Sequence, residues 1–261
     1  MRVRKVGRTV AVSILVWFGT SRVQAQIPAK FKNLQVLPKE SSRAQVVETM
    51  RGFAIALGVR CVHCHVGGNA DTLEGVDFVS DAKWEKRTAR AMLRMVRAVN
   101  AHYIGRLEAR PRVTGASLPP AVQVECVTCH RGVRRPETIE TVLMRSLERD
   151  GPEAALKEYG DLRSKYLGHG SYDFSSGPLN MVAEGLLKAH RGREAVAVTE
   201  YNVESHPDAS WSLHLLGEAR LAVGDDEKAL AAFERSLALD PSNSLTRRRV
   251  DELRHRASPK P

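Results

Sequence analysis

The four cysteines of the chain fall into two groups, Cys61-Val62-His63-Cys64-His65 and Cys126-Val127-Thr128-Cys129-His130. Two thiols three residues apart can each form a thioether to one vinyl group of a porphyrin, and the histidine that follows at once is placed under the ring to bind iron. This is the attachment pattern of haem c. Two complete copies predict two haem c groups, bonded to Cys61, Cys64, Cys126 and Cys129, with His65 and His130 as iron ligands. Disulfides, a thioredoxin-like redox pair and a zinc site built from two Cys-x-x-Cys halves use the same residue types. Zinc would not explain both histidines. His63 reads as an exposed spacer.

The ligand on the other face of each iron decides what the centre can do. A side chain on both faces restricts the haem to electron transfer, and an open face suits catalysis. Met50, eleven residues ahead of Cys61, is a candidate ligand for the first haem, and packing is the common alternative for a methionine on an apolar stripe. Met92, Met95 and His102 are the candidates for the second haem. Spacing does not choose among them.

These side chains need helices to hold them. Val46, Val47, Met50, Phe53, Ala54 and Leu57 recur on one face, which predicts a helix over 43–57 with a Ser42/Gln45 capping box and a stop at Gly58. A second helix is expected over about 82–107, with Asp81 as its cap and a stripe of Ala89, Met92, Val96, Val99 and Tyr103. Residues 67–80 and 108–122, rich in Gly, Asp and Pro, read as loops.

The first 25 residues carry Arg2, Arg4, Lys5, Arg8 and Arg22, no acid, and an apolar run from Thr9 to about Phe18, the pattern of a secretory leader cleaved after Ala25. Residues 26–150 hold twenty Lys and Arg against thirteen Asp and Glu, and residues 151–261 hold fifteen against seventeen. Asp150-Gly151-Pro152 interrupts helix at this change of character. The expected domains are therefore the leader, 1–25, a dihaem cytochrome domain, 26–149, and a helical repeat domain, 150–261.

In the last of these, an offset of 34 residues sets Ser176 over Ser210, Ala195 over Ala229 and Pro207 over Pro241. With Leu216-Gly217, Ala229, Phe233 and Pro241 in place, this segment resembles the tetratricopeptide repeat, a helix-turn-helix unit of that period. The flanking segments 153–166 and 244–256 would close the stack.

The cytochrome part resembles the cytochrome subunit of the bacterial photosynthetic reaction centre and its shorter relatives. The likeness rests on Thr49-Met50-Arg51 ahead of the first motif, on the run Thr88 to Arg97 with Asn100, and on Val124 to Gly132 with Pro136. It implies Met50 and Met92 as the sixth iron ligands, with Met95 turned to packing. The photosynthetic subunit has four haems, whereas this chain has two motifs and ends in repeats.

The expected fold is all-α: a dihaem c-type cytochrome domain of helices and long loops, then a tetratricopeptide-like hairpin stack. The expected function is electron transfer in the periplasm between redox proteins or a membrane-bound complex, with no catalytic residues and with the repeats docking a protein partner. A dihaem peroxidase or reductase with one open iron is the enzymatic alternative, and a repeat scaffold with secondary haems is the other. Nucleic acid is not an expected partner. Lys83, Lys86, Arg87, Arg90, Arg94 and Arg97 read either as a solvated face or as a dock for an acidic redox partner.

Overall fold

A computed structural model describes residues 27, 28, 30–108 and 122–257. The leader and most of the second expected loop lie outside these residues. The fold is all-α. Among the described residues the only β pairing is an isolated antiparallel bridge between Val66 and Asp77.

Helix α1, Arg43–Leu57, begins with the expected capping box: the Ser42 hydroxyl accepts from the Gln45 amide, and the Gln45 side chain accepts from the Ser42 amide. It ends on Gly58 in the left-handed region (φ 63°), whose N–H returns to the carbonyls of Ala54 and Ile55. Helix α2, Trp84–Ala98, starts later than expected and without a side-chain cap. Asp81 instead pairs with Lys86 (3.1 Å) and Arg90 (2.9 Å), because two cations one turn apart offer a carboxylate more than a single amide does. The helix widens into a π-helical segment, Val99–Ile104, and ends as the short α3, Gly105–Glu108. The second cysteine motif is itself a short helix, α4, Cys126–His130.

Seven longer helices follow: α5 Ile139–Asp150, α6 Pro152–Tyr166, α7 Ser176–Lys188, α8 Gly192–Ser205, α9 Ser210–Ala222, α10 Asp226–Leu239 and α11 Ser244–Ala257. Helices α9 and α10 repeat the bounds of α7 and α8 at the 34-residue offset read from the sequence, and α11 starts where a third copy would. The turn between paired helices needs a left-handed residue, which is His190 (φ 57°) in the first copy and Gly224 (φ 80°) in the second. A Cβ on Gly217 would fall 2.4 Å from the Phe233 ring, so glycine lets α9 and α10 close on each other.

The Gly151-Pro152 break is the bend between α5 and α6, since Ile139, Leu143 and Leu147 of α5 share one apolar cluster with Ala155, Tyr159, Leu179 and Leu186. The helical stack therefore starts at α5, ahead of the change in charge that marked residue 150. A polar seam crosses it. Asn202 donates to Asn180 (2.8 Å), and Ser212 donates to the same Asn180 oxygen (2.8 Å). One repeat later the equivalent pair is His214 and Thr246, 2.9 Å apart. Each bond satisfies polar groups inside a helical interior that would otherwise be costly to bury.

Candidate functional site

The first motif leaves α1 through Gly58 and forms a single 3-10 turn, Cys61–His63, whose closure is a bond from the Cys64 amide to the Cys61 carbonyl (3.2 Å). This turn carries both thiols and His65 on consecutive bends of the chain. His65 is 9% exposed and lies against Phe78, with ring centroids 5.0 Å apart. Burial, and then the nearby Lys86 ammonium, pushes its imidazole down to about 4, so the ring is neutral near pH 7, the form that ligates a metal. Its Nδ1 is buried and without a hydrogen bond. Burial raises the Cys64 and Cys126 thiols, which is opposite to the activated thiol of a redox pair. Among the described residues no three His, Cys, Asp or Glu side chains converge as a zinc site would require.

In the second motif the α4 turn brings Cys126, Cys129 and His130 onto one short helix, with Arg131 (φ 45°) and Gly132 (φ 86°) reversing the chain behind it. His130 Nδ1 lies 3.0 Å from the Val133 carbonyl. As a donor there, it fixes the tautomer that leaves Nε2 for iron, the outer-shell arrangement common to metal-binding histidines.

The two motifs are joined through the backbone. Helix α1 packs on α4, the Gly132 amide donates to the Ala56 carbonyl (2.8 Å), and a Cβ on Gly58 would lie 2.2 Å from the Gly132 oxygen. Only glycine permits both the left-handed turn and this approach. At the far end, Asn100 of the π segment donates to the Val124 carbonyl and accepts from its amide, each at 2.8 Å, which sets the entry to α4. At the near end, Lys83 donates to the Val62 carbonyl inside the first motif. Helix α2 thus spans from one motif to the other.

The remaining predicted residues are placed as follows. Met50 is half-buried on α1. Met92 and Met95 are 40% and 49% exposed, one turn apart on the same uncovered side of α2 as Trp84, and His102 is exposed in the π segment. Most of the basic residues of α2 are engaged in holding the fold. Lys86 is buried and donates to the carbonyls of Phe78 (2.9 Å), Val79 (3.1 Å) and Ser80 (2.8 Å). Arg87 donates to the Asp81 carbonyl (2.6 Å), Arg90 to that of Asn33 (3.3 Å) and Arg97 to that of Val36 (2.8 Å). The charge run is first of all a set of backbone clamps. The lysine cage and the Asn100 bridge were missed in the sequence, because their partners are main-chain groups with no residue signature.

The residues suit an apolar planar group. Among the described residues, those before 137 contribute only Val46, Ala56 and Val133 to the buried apolar set, against twenty-two in the helical stack. Ile55, Val79, Trp84, Met92, Met95, Tyr103, Val122 and Val127 of the same part of the chain meanwhile stand exposed. Exposed large apolar side chains in the part of the chain that carries paired thiols and a neutral buried imidazole fit an apolar group such as a porphyrin.

A sequence model of the photosynthetic reaction centre cytochrome C subunit matches residues 14–145, just over half of the chain. The chain belongs to that family. Family membership makes it a c-type cytochrome, with haem c as the implied cofactor and electron transfer as the implied class of activity. Cytochrome c-554 of Chloroflexus aurantiacus is 40% identical over 99 residues, which are 38% of this chain and 20% of that protein. The Hsp70-Hsp90 organizing protein of Triticum aestivum is 41% identical over 81 residues, 29% of this chain and 14% of that protein, a match that fits the C-terminal repeats. The chain therefore spans a fifth or less of the length of these two curated relatives. No helix among the described residues is long and apolar enough to cross a membrane.

Proposed function

We propose that the protein is an exported dihaem cytochrome that passes electrons between redox proteins in the periplasm, and that its helical stack docks a protein partner. The observation that carries this reading is the backbone junction of Ala56, Gly58 and Gly132, which ties two complete Cys-x-x-Cys-His motifs into one body. Bound haem would supply a one-electron Fe(III)/Fe(II) couple. The chain's own residues anchor, orient and screen it. Cys61 and Cys64 hold one group, and Cys126 and Cys129 the other. His65 presents a neutral imidazole, and His130 one whose Nδ1 faces the Val133 carbonyl. Met50 on α1 and Met92 on α2 are the proposed opposite ligands, with Met95 or His102 as the second choice beside Met92. The functional division falls after Pro136, with a cytochrome part before it and the stack from α5 onward. The likeness of the repeats to an organizing protein of two chaperones supports protein docking.

A pyridine haemochrome assay and an intact mass test the count. The expected result is two haems per chain, falling to one in the Cys126→Ser/Cys129→Ser protein; a mass without porphyrin, or with zinc, ends the proposal. The methionine-to-iron absorption band tests the ligands. It should lose part of its intensity in Met50→Ala and part in Met92→Ala, and an unchanged band in Met92→Ala with a loss in Met95→Ala moves the ligand by one turn. A high-spin iron that binds cyanide in the parent protein favours the peroxidase or reductase reading.

A further inference from the structure

The loop that carries the second imidazole is held by the helical stack. His130, Arg131, Gly132 and Val133 form a tight reversal in which the His130 ring bonds to the Val133 carbonyl and the Val133 amide bonds back to the His130 carbonyl (2.9 Å). The peptide between Arg131 and Gly132 is gripped at both ends. Its N–H donates to Ala56 of α1, and its carbonyl accepts from the hydroxyl of Ser171. Ser171 lies between α6 and α7, is buried, and is rooted in the stack by an edge-to-face aromatic chain of Tyr166–Tyr172 (5.6 Å), Tyr172–Phe174 (5.9 Å) and Phe174–Tyr159 (5.6 Å). His206, which caps the end of α8, lies 3.1 Å from the Phe174 carbonyl and steadies the same segment.

We propose that Ser171 is a positioning residue for the second haem: through the Arg131 carbonyl it fixes the loop that orients His130, so the helical stack sets the electronic environment of one iron and not the other. A histidine's outer hydrogen bond governs ring orientation and ligand basicity. A peptide polarised at its carbonyl donates more strongly at its N–H, so losing the Ser171 bond also loosens the grip of α1 on the same loop. Among the described residues the His65 ring has no hydrogen bond from its buried Nδ1 and rests on Phe78 within the cytochrome part, although Val62 and His63 share a cavity lining with Lys165 and Tyr166 of α6. The inference rests on the dihaem reading.

The test is a redox titration of the full haem-loaded chain, followed by visible spectra, with electron paramagnetic resonance of the oxidised irons. Ser171→Ala is expected to shift one midpoint and one set of g-values while the other haem stays at parental values. Ser171→Val and Ser171→Thr have nearly the same shape and differ by the hydroxyl, so Val should shift that haem and Thr should restore it, even if Ala folds poorly. The shifted haem should be the one missing from the Cys126→Ser/Cys129→Ser protein, where Ser171→Ala becomes silent. As a control, Ser236→Ala removes a buried hydroxyl that donates to the Ser210 carbonyl (2.8 Å); it should lower the melting temperature and move neither midpoint. Unshifted haems in both Ser171→Ala and Ser171→Val, equal shifts of both haems, or the same shift from Ser236→Ala would overturn the proposal. A haemochrome count of one defeats the dihaem reading separately. If that haem sits on Cys126 and Cys129 the Ser171 comparison still decides, and if it sits on Cys61 and Cys64 the inference falls with it.

Discussion

Asp81 accepts from Asn33 (2.9 Å) and Gln35 (3.0 Å) while pairing with Arg90 and Lys86, and so ties the N-terminal segment to the start of α2. The hydrogen bond from Arg90, opposed by desolvation and joined by that from Lys86, holds its carboxyl well below the usual carboxylate range. A depressed folded pKa contributes stability that is present above the unfolded value, about 4, and is lost as pH falls through the folded value. Asp81→Asn should therefore lower the urea midpoint at neutral pH, and its difference from the parent should narrow as pH drops below about 4; a gap that is constant with pH would remove the ion pairs from the account. Gly58 makes a separate demand, because its φ of 63° disfavours a side chain and a Cβ there would lie 2.2 Å from the Gly132 oxygen. Gly58→Ala should cost about 1–3 kcal/mol from backbone strain, with more from the displaced loop. Melting of the haem-loaded protein measures this, and a parental midpoint would mean that α1 and α4 do not meet there.

Helix α2 behaves as a strut whose middle is regular and whose ends are fastened by side chains to main-chain groups, inside the first motif at one end and just ahead of the second at the other. The π-helical turn falls where Asn100 leaves the helix to bond Val124 twice, and such turns are frequent at functional positions. Asn100→Ala strands both Val124 groups and should cost about 1–3 kcal/mol, read as a lower urea midpoint. A midpoint equal to the parent's would show that the bridge carries no weight. Helix α1, its capping box and its glycine stop were legible in the sequence because every signal was local: a side chain, its partner three residues on, and a left-handed terminus. The repeats were legible because a 34-residue period copies each helix boundary. The start of α2 was misread because Asp81 serves distant cations instead of the nearest amides. The attachment of α5 to the stack was hidden because a Gly-Pro bend inside a hairpin reads, in one dimension, like a boundary between domains.

The two parts of the molecule differ in how they can be stable. Among the described residues the stack buries twenty-two apolar side chains and carries its polar seam in register, so each helical pair is held by its neighbours. Among the described residues the cytochrome part buries three, and its helices are joined by clamps from Lys86 and Asn100 to backbone, by the side-chain pairs of Asp81 and by one glycine contact. At about 25 cal/mol per Å² of apolar surface removed from water, so small a buried set leaves little to oppose the chain entropy of a hundred residues. Covalently held porphyrin would supply the missing apolar surface. In the Cys61→Ser/Cys64→Ser/Cys126→Ser/Cys129→Ser chain, amides of α7 to α10 should stay protected from hydrogen exchange, while those of α1 and α2 exchange within the dead time or close to it. In the haem-loaded parent both sets should be protected. The α5 and α6 amides should follow the stack, since Leu143, Leu147 and Tyr159 lie in its core. Protection of α1 and α2 in the cysteine-free chain equal to that of α8 would mean that the polar clamps suffice, and that the exposed Trp84, Met92 and Met95 serve a partner instead of a prosthetic group.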